Sequence, residues 1–511
     1  MDNNTKENEK DPIHRIKLKR HLWPDEVELR NTKRNVVFWK RIAVVTLVAG
    51  LGVGWLSGSF VPLPFTGSLR TALRGALGLH GDKVDAVKDI MENDWYFGED
   101  IEDLDERLED QAIAGMTTNE EDPHTEYMSK EENEAFVQSI NRDYVGIGAE
   151  FIMHDNYPVV TRVFVDSPAE KAGLQAGDVI REVDGDDISG LSNDEISSRI
   201  GGDEGTDVTL HVERKMEEMD IVVTRGQVES TCYAEMLDED LMYMRLYQFG
   251  AGTHDKMLTY FDDMVAENGN VKLILDLRGN GGGYLDSVQE CASFFLDEGD
   301  IVMIQEFTDG SRNEIKALDD KNDAIHDIVI LTDASTASAA EVMTLALKEN
   351  RDDVTILGKT TYGKGTAQVS ASFSDGSTLK YTASRWLSPD EEWINGTGIT
   401  PDEEVDLPVA LTISYPEMEE EVLGYDDVSG CVEGMQYILQ YFGYDIDRTD
   451  GYFSTGTEAA WTAFEEDHDY SVDGQMDQEE YTAAIAEVIY DYAMSDAHDT
   501  QLSAAKEILN G

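Results

Sequence analysis

Basic residues are scarce in this 511-residue chain: 40 Lys and Arg stand against 105 Asp and Glu, a formal net charge of −65. A surface of that sign repels phosphate backbones, so nucleic acid is excluded as a partner. Cysteine is rarer still. Cys232, Cys291 and Cys431 are far apart and odd in number, giving neither a disulfide framework nor metal-ligand spacing. They read as small buried hydrophobes. The aspartates between Asp445 and Asp450 miss the spacing of a calcium loop, and no metal or cofactor is expected. Low-complexity tracts are absent. Of ten histidines, His326 and His254 are the ones to weigh, and neither sits in a recognisable motif. His326 precedes an apolar strand and His254 lies in a loop, so a serine–histidine–aspartate hydrolase would lack its base.

Charge is also absent from residues 42–61 (IAVVTLVAGLGVGWLSGSFV), a run long enough to cross the apolar core of a bilayer. Arg34, Lys40 and Arg41 lie just before it; Arg70 and Arg74 follow only after a gap. Residues 1–41 carry 11 basic and 7 acidic side chains, whereas the remaining 470 carry 29 and 98. The positive-inside rule then predicts a cytoplasmic tail (1–41), a single transmembrane helix (42–61) and an acidic bulk outside the cell membrane. The run is long, begins some 40 residues in and lacks a clear small-x-small cleavage site, which favours a retained anchor over a signal peptide.

Beyond the anchor, residues 66–142 show apolar spacing of helical type, with Asp122-Pro123-His124-Thr125 as a break. Short alternating strands fill 143–227, with a helix at 193–200. Strands and helices alternate over 228–410, which predicts an α/β layer. An acidic run at 417–421 is a linker, and a small all-α unit follows at 425–495.

Three segments of the α/β region carry chemistry. Ser338 precedes an apolar helix at 339–347, and Ser338-Ala339-Ala340-Glu341 fits a capping box. The same geometry sets a hydroxyl beside free amides and the positive end of a helix dipole, which suits a developing oxyanion. Lys364 lies between glycines in TTYGKGTAQ, and desolvation can lower a lysine pKa enough for it to act as a base. In an extended strand Gln368, four residues on, faces the same way and can orient the amine. Finally, LILDLRGNGGGYL runs a buried strand into clustered glycines, which predicts an oxyanion hole of the Gly282, Gly283 and Ala339 amides.

Together these segments resemble, in order, the blocks of the C-terminal processing peptidases (tail-specific proteases). Asp122-Pro123-His124-Thr125 and Gly398-Ile399-Thr400-Pro401-Asp402 are similar to that family's flanking motifs. The resemblance implies a serine endopeptidase with Ser338 as nucleophile, Lys364 as general base and Gln368 positioning Lys364, Ser335 being the fallback nucleophile. This chain departs from the pattern at Ala340, where a further serine is usual, and by one extra residue between Ser338 and Lys364, which Arg351-Asp352-Asp353 can absorb. Residues 143–227 resemble the PDZ domain inserted in these enzymes; Val145, Gly146, Ile147 and Gly148 would form the loop that binds a peptide carboxylate. The last unit resembles a three-helix peptidoglycan-binding domain, with Ser454 and Glu465 as departures. The expected partners are protein substrates captured by their C-terminal tails, peptidoglycan, the membrane, and a second copy of the chain through the helical pre-domain.

Overall fold

In the computed structural model the described residues are 83–510, apart from 98–100, 155, 216, 320 and 469. The segments read as an anchor (42–61) and a cytoplasmic tail (1–41) lie outside them. No helix among the described residues is long and apolar enough to cross a membrane.

The chain divides into two compact units, residues 1–109 and 110–511. In the first, the helix Lys83–Asn93 buries none of its residues; Val84, Val87 and Ile90 stand exposed on it. In the second, the break at Asp122-Pro123-His124-Thr125 leads into the strand Glu126–Met128 and a roof helix, Lys130–Asn141. Ser129 caps that helix through a reciprocal bond with Glu132. The segment read as a mostly helical pre-domain thus also supplies a strand. It pairs with Thr378–Leu387, 254 residues away at Glu126 and Lys380, in a five-stranded antiparallel sheet.

The PDZ-like module is an antiparallel sheet in the order Ala149–His154, Tyr157–Val163, Val179–Val183, Asp207–Arg214, Glu217–Thr224. Val208, Leu210 and Val212 alternate inward along one strand, and Ile196 and Ile200 of the helix Asn193–Ile200 join their core. Asp143–Gly146 pairs with Gly226–Glu229, so the module's entrance and exit are stitched together.

The α/β layer is a six-stranded sheet: Cys232–Asp238, Leu241–Leu246, Val271–Asp276, Ile325–Thr332, Val354–Gly358 and Glu403–Glu404, parallel after the first pair. Its strands are apolar on both faces, as a sheet covered on both sides requires. Val271, Leu273 and Leu275 meet the helices Thr253–Asn268, Leu285–Ser293 and Ala339–Asn350. Ile274, Val329, Leu331 and Leu357 point the other way, onto Leu502, Ala505 and Leu509 of the chain's last helix, Thr500–Asn510. Cys232, Cys291 and Cys431 are free and buried.

The small C-terminal unit packs the helices Gly430–Tyr441, Thr455–Asp467 and Gln478–Met494 around Met435, Ile438, Trp461 and Phe464. Two-residue strands, Val422–Leu423 and Met476–Asp477, pair beside them. Gln478–Met494 also touches the PDZ-like edge strand: His154 Nε2 lies 3.1 Å from Glu487 Oε1, and its ring stacks on Tyr490 at 3.7 Å.

Candidate active site

The strand Ile325–Thr332 ends in a turn organised by Asp333, which accepts the Ser335 and Thr336 amides. That turn places Ser335 outside the cavity described below. Ser338 follows at the head of Ala339–Asn350 with φ 59° and ψ −118°. The capping serines Ser129, Ser167, Ser192 and Ser454 all keep negative φ with ψ near 160–170°. Ser338 is therefore not an ordinary cap. A non-glycine residue at positive φ is held there by its surroundings, and such strain gathers at functional sites.

What holds it is Glu341. Its fully buried carboxylate accepts the Ser338 amide at 2.9 Å through Oε2. The same oxygen accepts the Lys364 amide at 2.9 Å, while Oε1 takes the Gly363 amide at 2.7 Å and the Thr361 hydroxyl. One side chain thus joins the backbone of the serine to that of the lysine. The capping-box pattern flagged Glu341 for its first bond only; the others reach across 20 to 23 residues and leave no local signal.

Behind Lys364, the closing motif packs against the loop. The Thr361 amide donates to Ile399, and Gly398, at φ 69°, passes so close that a Cβ there would lie 2.1 Å from the Thr361 carbonyl oxygen. Trp386 Nε1 holds the Lys364 carbonyl at 2.8 Å. The lysine side chain enters a cavity of about 750 Å³ that Ser338, Gln368, Gly283 and His124 also line. Burial lowers its pKa from the usual lysine value and the nearby Lys380 adds to this, against Asp122 and Glu341. Burial likewise lowers the pKa of His124, with Lys364 and Lys380 working the same way against Asp122.

Lys364 lies two residues ahead of the strand Thr366–Ser372 rather than within it, yet it and Gln368 open onto the same cavity. Gln368 donates from Nε2 to Thr366 Oγ1 (3.1 Å) and Thr382 Oγ1 (3.0 Å). Arg351, Asp352 and Asp353, the residues expected to absorb the extra residue, lie at a turn before Val354–Gly358.

The glycine cluster needs one correction. The Gly282 amide is not free for an oxyanion, because it donates to the buried Asn280 Oδ1 at 2.8 Å. Gly282 serves by closeness instead: at φ 104°, a Cβ there would lie 2.8 Å from Ser338 Cβ and 2.9 Å from the Ala339 nitrogen. Gly283 sits between two bridging bonds, Phe249 N to Gly282 O and Tyr284 N to Phe249 O, which use neither its amide nor that of Ala339. Neither amide has a partner among the described residues; Ala339 follows Ser338 directly, and Gly283 lines the same cavity as Ser338.

Residues 240–405 match Peptidase family S41, 145–224 match the PDZ domain, and 431–483 match a peptidoglycan binding domain. A "Probable CtpA-like serine protease" of Staphylococcus haemolyticus (strain JCSC1435) is 32% identical over 410 residues, 79% of this chain and 81% of that protein. One of the same description from Staphylococcus aureus (strain COL) is 33% identical over 408 residues, 78% and 79%. A solved "photosystem II D1 C-terminal processing protease" is 26% identical, with a TM-score of 0.37, over 67% of this chain and 94% of that one. The chain belongs to peptidase family S41. It is a serine-type C-terminal processing peptidase carrying a PDZ domain and a peptidoglycan-binding-like domain.

In this S41 peptidase the four residues read as a carboxylate loop fall into two pairs. Val145 and Gly146 are in ladder with Gln227 and Gly226. The Ile147 and Gly148 carbonyls accept the Ala169 and Phe164 amides at 2.7 and 3.1 Å, while their own amides have no partner among the described residues. Sequence reasoning passed over His124 and Lys380, both in the cavity wall. Asp122-Pro123-His124-Thr125 was the available signal for the first; Lys380, on an ordinary alternating strand, had none.

Proposed function

We propose that this S41 peptidase cleaves by a Ser338–Lys364 dyad. The observation that carries the reading is the Glu341 carboxylate bound to the amides of both residues, which fixes nucleophile and base as one unit. Neutral Lys364 takes the Ser338 hydroxyl proton as Oγ attacks the scissile carbonyl. The Gly283 and Ala339 amides hold the oxyanion, and Gln368 orients the amine. The lysine ammonium then gives its proton to the leaving amine. Lys364 next deprotonates a water that hydrolyses the acyl-enzyme, and the serine is regenerated. No metal or cofactor enters any step.

The PDZ domain captures the C-terminal tail of the substrate at residues 145–148, adding it as a strand to the sheet edge. Residues 42–61 anchor the chain in the cell membrane as a single span, with residues 1–41 in the cytoplasm and the acidic bulk outside. There the last unit holds the enzyme against peptidoglycan, and its substrates are proteins of the cell envelope, processed or degraded. Two copies associate through the helical pre-domain.

A second base is supported by one observation: His124 lines the cavity and burial favours its neutral form. The full-length enzyme with an unstructured reporter protein separates the readings. Ser338→Ala is expected to abolish cleavage while tail-peptide binding is retained, and Lys364→Ala to do the same. Wild-type rates from Lys364→Ala, with loss in His124→Ala, would move the base to His124.

A further inference from the structure

Gln368 has an acceptor end and a donor end, and the dyad needs the acceptor. An amide carbonyl facing Lys364 can receive an N–H of the amine and leave its lone pair for Ser338; an NH₂ group facing it would meet a second donor. What selects the orientation lies outside the dyad. The strand Thr378–Leu387 carries an extra residue, Ala383, between the partners of Ala367 and Gln368, and this bulge sets Thr382 opposite Gln368. The Thr382 hydroxyl is 3.1 Å from Asp122 Oδ1 and receives Gln368 Nε2 at 3.0 Å. Asp122 is held in turn by the Thr125 hydroxyl (2.5 Å) and the His124 amide (3.2 Å), and Thr125 Oγ1 accepts the Thr382 amide at 3.1 Å.

Donor and acceptor rules fix the polarity along this chain. Burial raises the Asp122 pKa, but the bonds from Thr125, His124 and Thr382 outweigh it and hold the group below the usual carboxylate range. An ionised carboxylate only accepts. Thr382 therefore spends its one hydroxyl hydrogen on Asp122 and has only lone pairs left for its other neighbour. Gln368 must meet it with the NH₂. A flipped amide would set two oxygens face to face and leave an acceptor unsatisfied in a half-buried place.

We infer that Asp122 and Thr382 are positioning residues: their hydrogen-bond relay fixes the side-chain amide of Gln368 with its carbonyl oxygen towards Lys364. The inference rests on the proposed role of Gln368 beside the dyad. It also gives the Asp122-Pro123-His124-Thr125 break a task, since it ties the segment leading to the roof helix to the catalytic strand.

The test is steady-state cleavage of an unstructured reporter by the full-length enzyme. Thr382→Val keeps the shape and removes the hydroxyl; kcat should fall about 10- to 100-fold with KM within about twofold, the loss typical of a misplaced catalytic group. Thr382→Ser should stay within about threefold of wild type. Asp122→Asn can donate as well as accept, so it should lower kcat similarly, and it carries the test if Thr382→Val does not fold. The charged and titratable groups around Lys364 are Asp122, Glu341, Lys380 and His124. Losing the Asp122 charge should move the ascending limb of the kcat–pH profile to lower pH, whereas Thr382→Val should lower the profile without moving it. In a Gln368→Ala background, Thr382→Val should add no further loss. A wild-type kcat for Thr382→Val, equal damage from Thr382→Ser, or additive losses with Gln368→Ala would overturn the relay. A fully active Gln368→Ala would instead overturn the role of Gln368, and the relay with it.

Discussion

A lysine serves as a base only when unprotonated, and its surroundings decide at what pH that happens. Burial is the largest influence lowering the Lys364 pKa, and the charge of Lys380 is the next. Lys380 is kept in place by Glu126 at 3.1 Å and by the face of Phe136 at 4.4 Å. With Lys364 as the proposed base, catalysis would rise with pH through its pKa, so anything that lowers the value brings the active form closer to neutrality. Lys380→Met removes a lowering influence; the Lys364 pKa rises, and the ascending limb of kcat/KM moves to higher pH. At neutral pH the rate falls, and at high pH it approaches wild type. A limb that stayed in place would remove Lys380 from the electrostatics of the site. Little of this was legible in the sequence. Lys364 announces itself by its flanking glycines, but Lys380 alternates along a strand as any exposed lysine would.

At the scale of elements, the site depends on two strand-to-loop turns meeting at Ser338. One carries the serine onto its helix; the other brings Gly282 within van der Waals contact of it. The glycine-rich turn was legible because four glycines in five residues exceed what a plain turn requires, but which amides face the substrate was not, since Asn280 captures one of them from two residues away. Gly282→Ala tests the packing. It places a Cβ at φ 104°, where L side chains are strained, and pushes it into Ser338 and the Ala337 carbonyl. The strain alone is of order 1–3 kcal/mol, which a folded domain tolerates, but the serine must shift. Expected is a loss of about 100-fold or more in kcat with only a modest fall in Tm and unchanged tail-peptide binding. Near-normal turnover would show that the close approach is incidental.

At the scale of the whole molecule, the C-terminal end of the second unit returns to its own catalytic sheet. The sequence pattern marks the last unit as three helices ending near residue 495, an accessory behind an acidic linker. Beyond that unit, Asp499 and the chain's last helix, Thr500–Asn510, do something periodicity cannot reveal, because their partners are far away in the chain. Arg278, in the turn after Val271–Asp276, bonds Asp276 at 2.7 Å on one side and Asp499, 221 residues on, at 2.9 Å on the other. Gln501 adds a further bond at 3.1 Å, and Tyr243 completes the cluster through Asp276. Beyond it, Leu502, Ala505 and Leu509 cover one face of the catalytic sheet. Deleting residues 496–511 should therefore damage the peptidase itself. Burial of each leucine is worth about 1.5–3 kcal/mol, and removing one partner of a buried ion pair costs about 3–5 kcal/mol. Together these approach the 5–15 kcal/mol that holds a typical domain folded. The truncated enzyme should melt well below the full chain and lose cleavage, although every dyad residue remains. Asp499→Asn, which keeps the leucines, should show a smaller drop in Tm. If the truncated enzyme instead cleaved the reporter at the full rate with an unchanged Tm, the C-terminal helix would be an appendage, and Arg278 would have to be held by Asp276 alone.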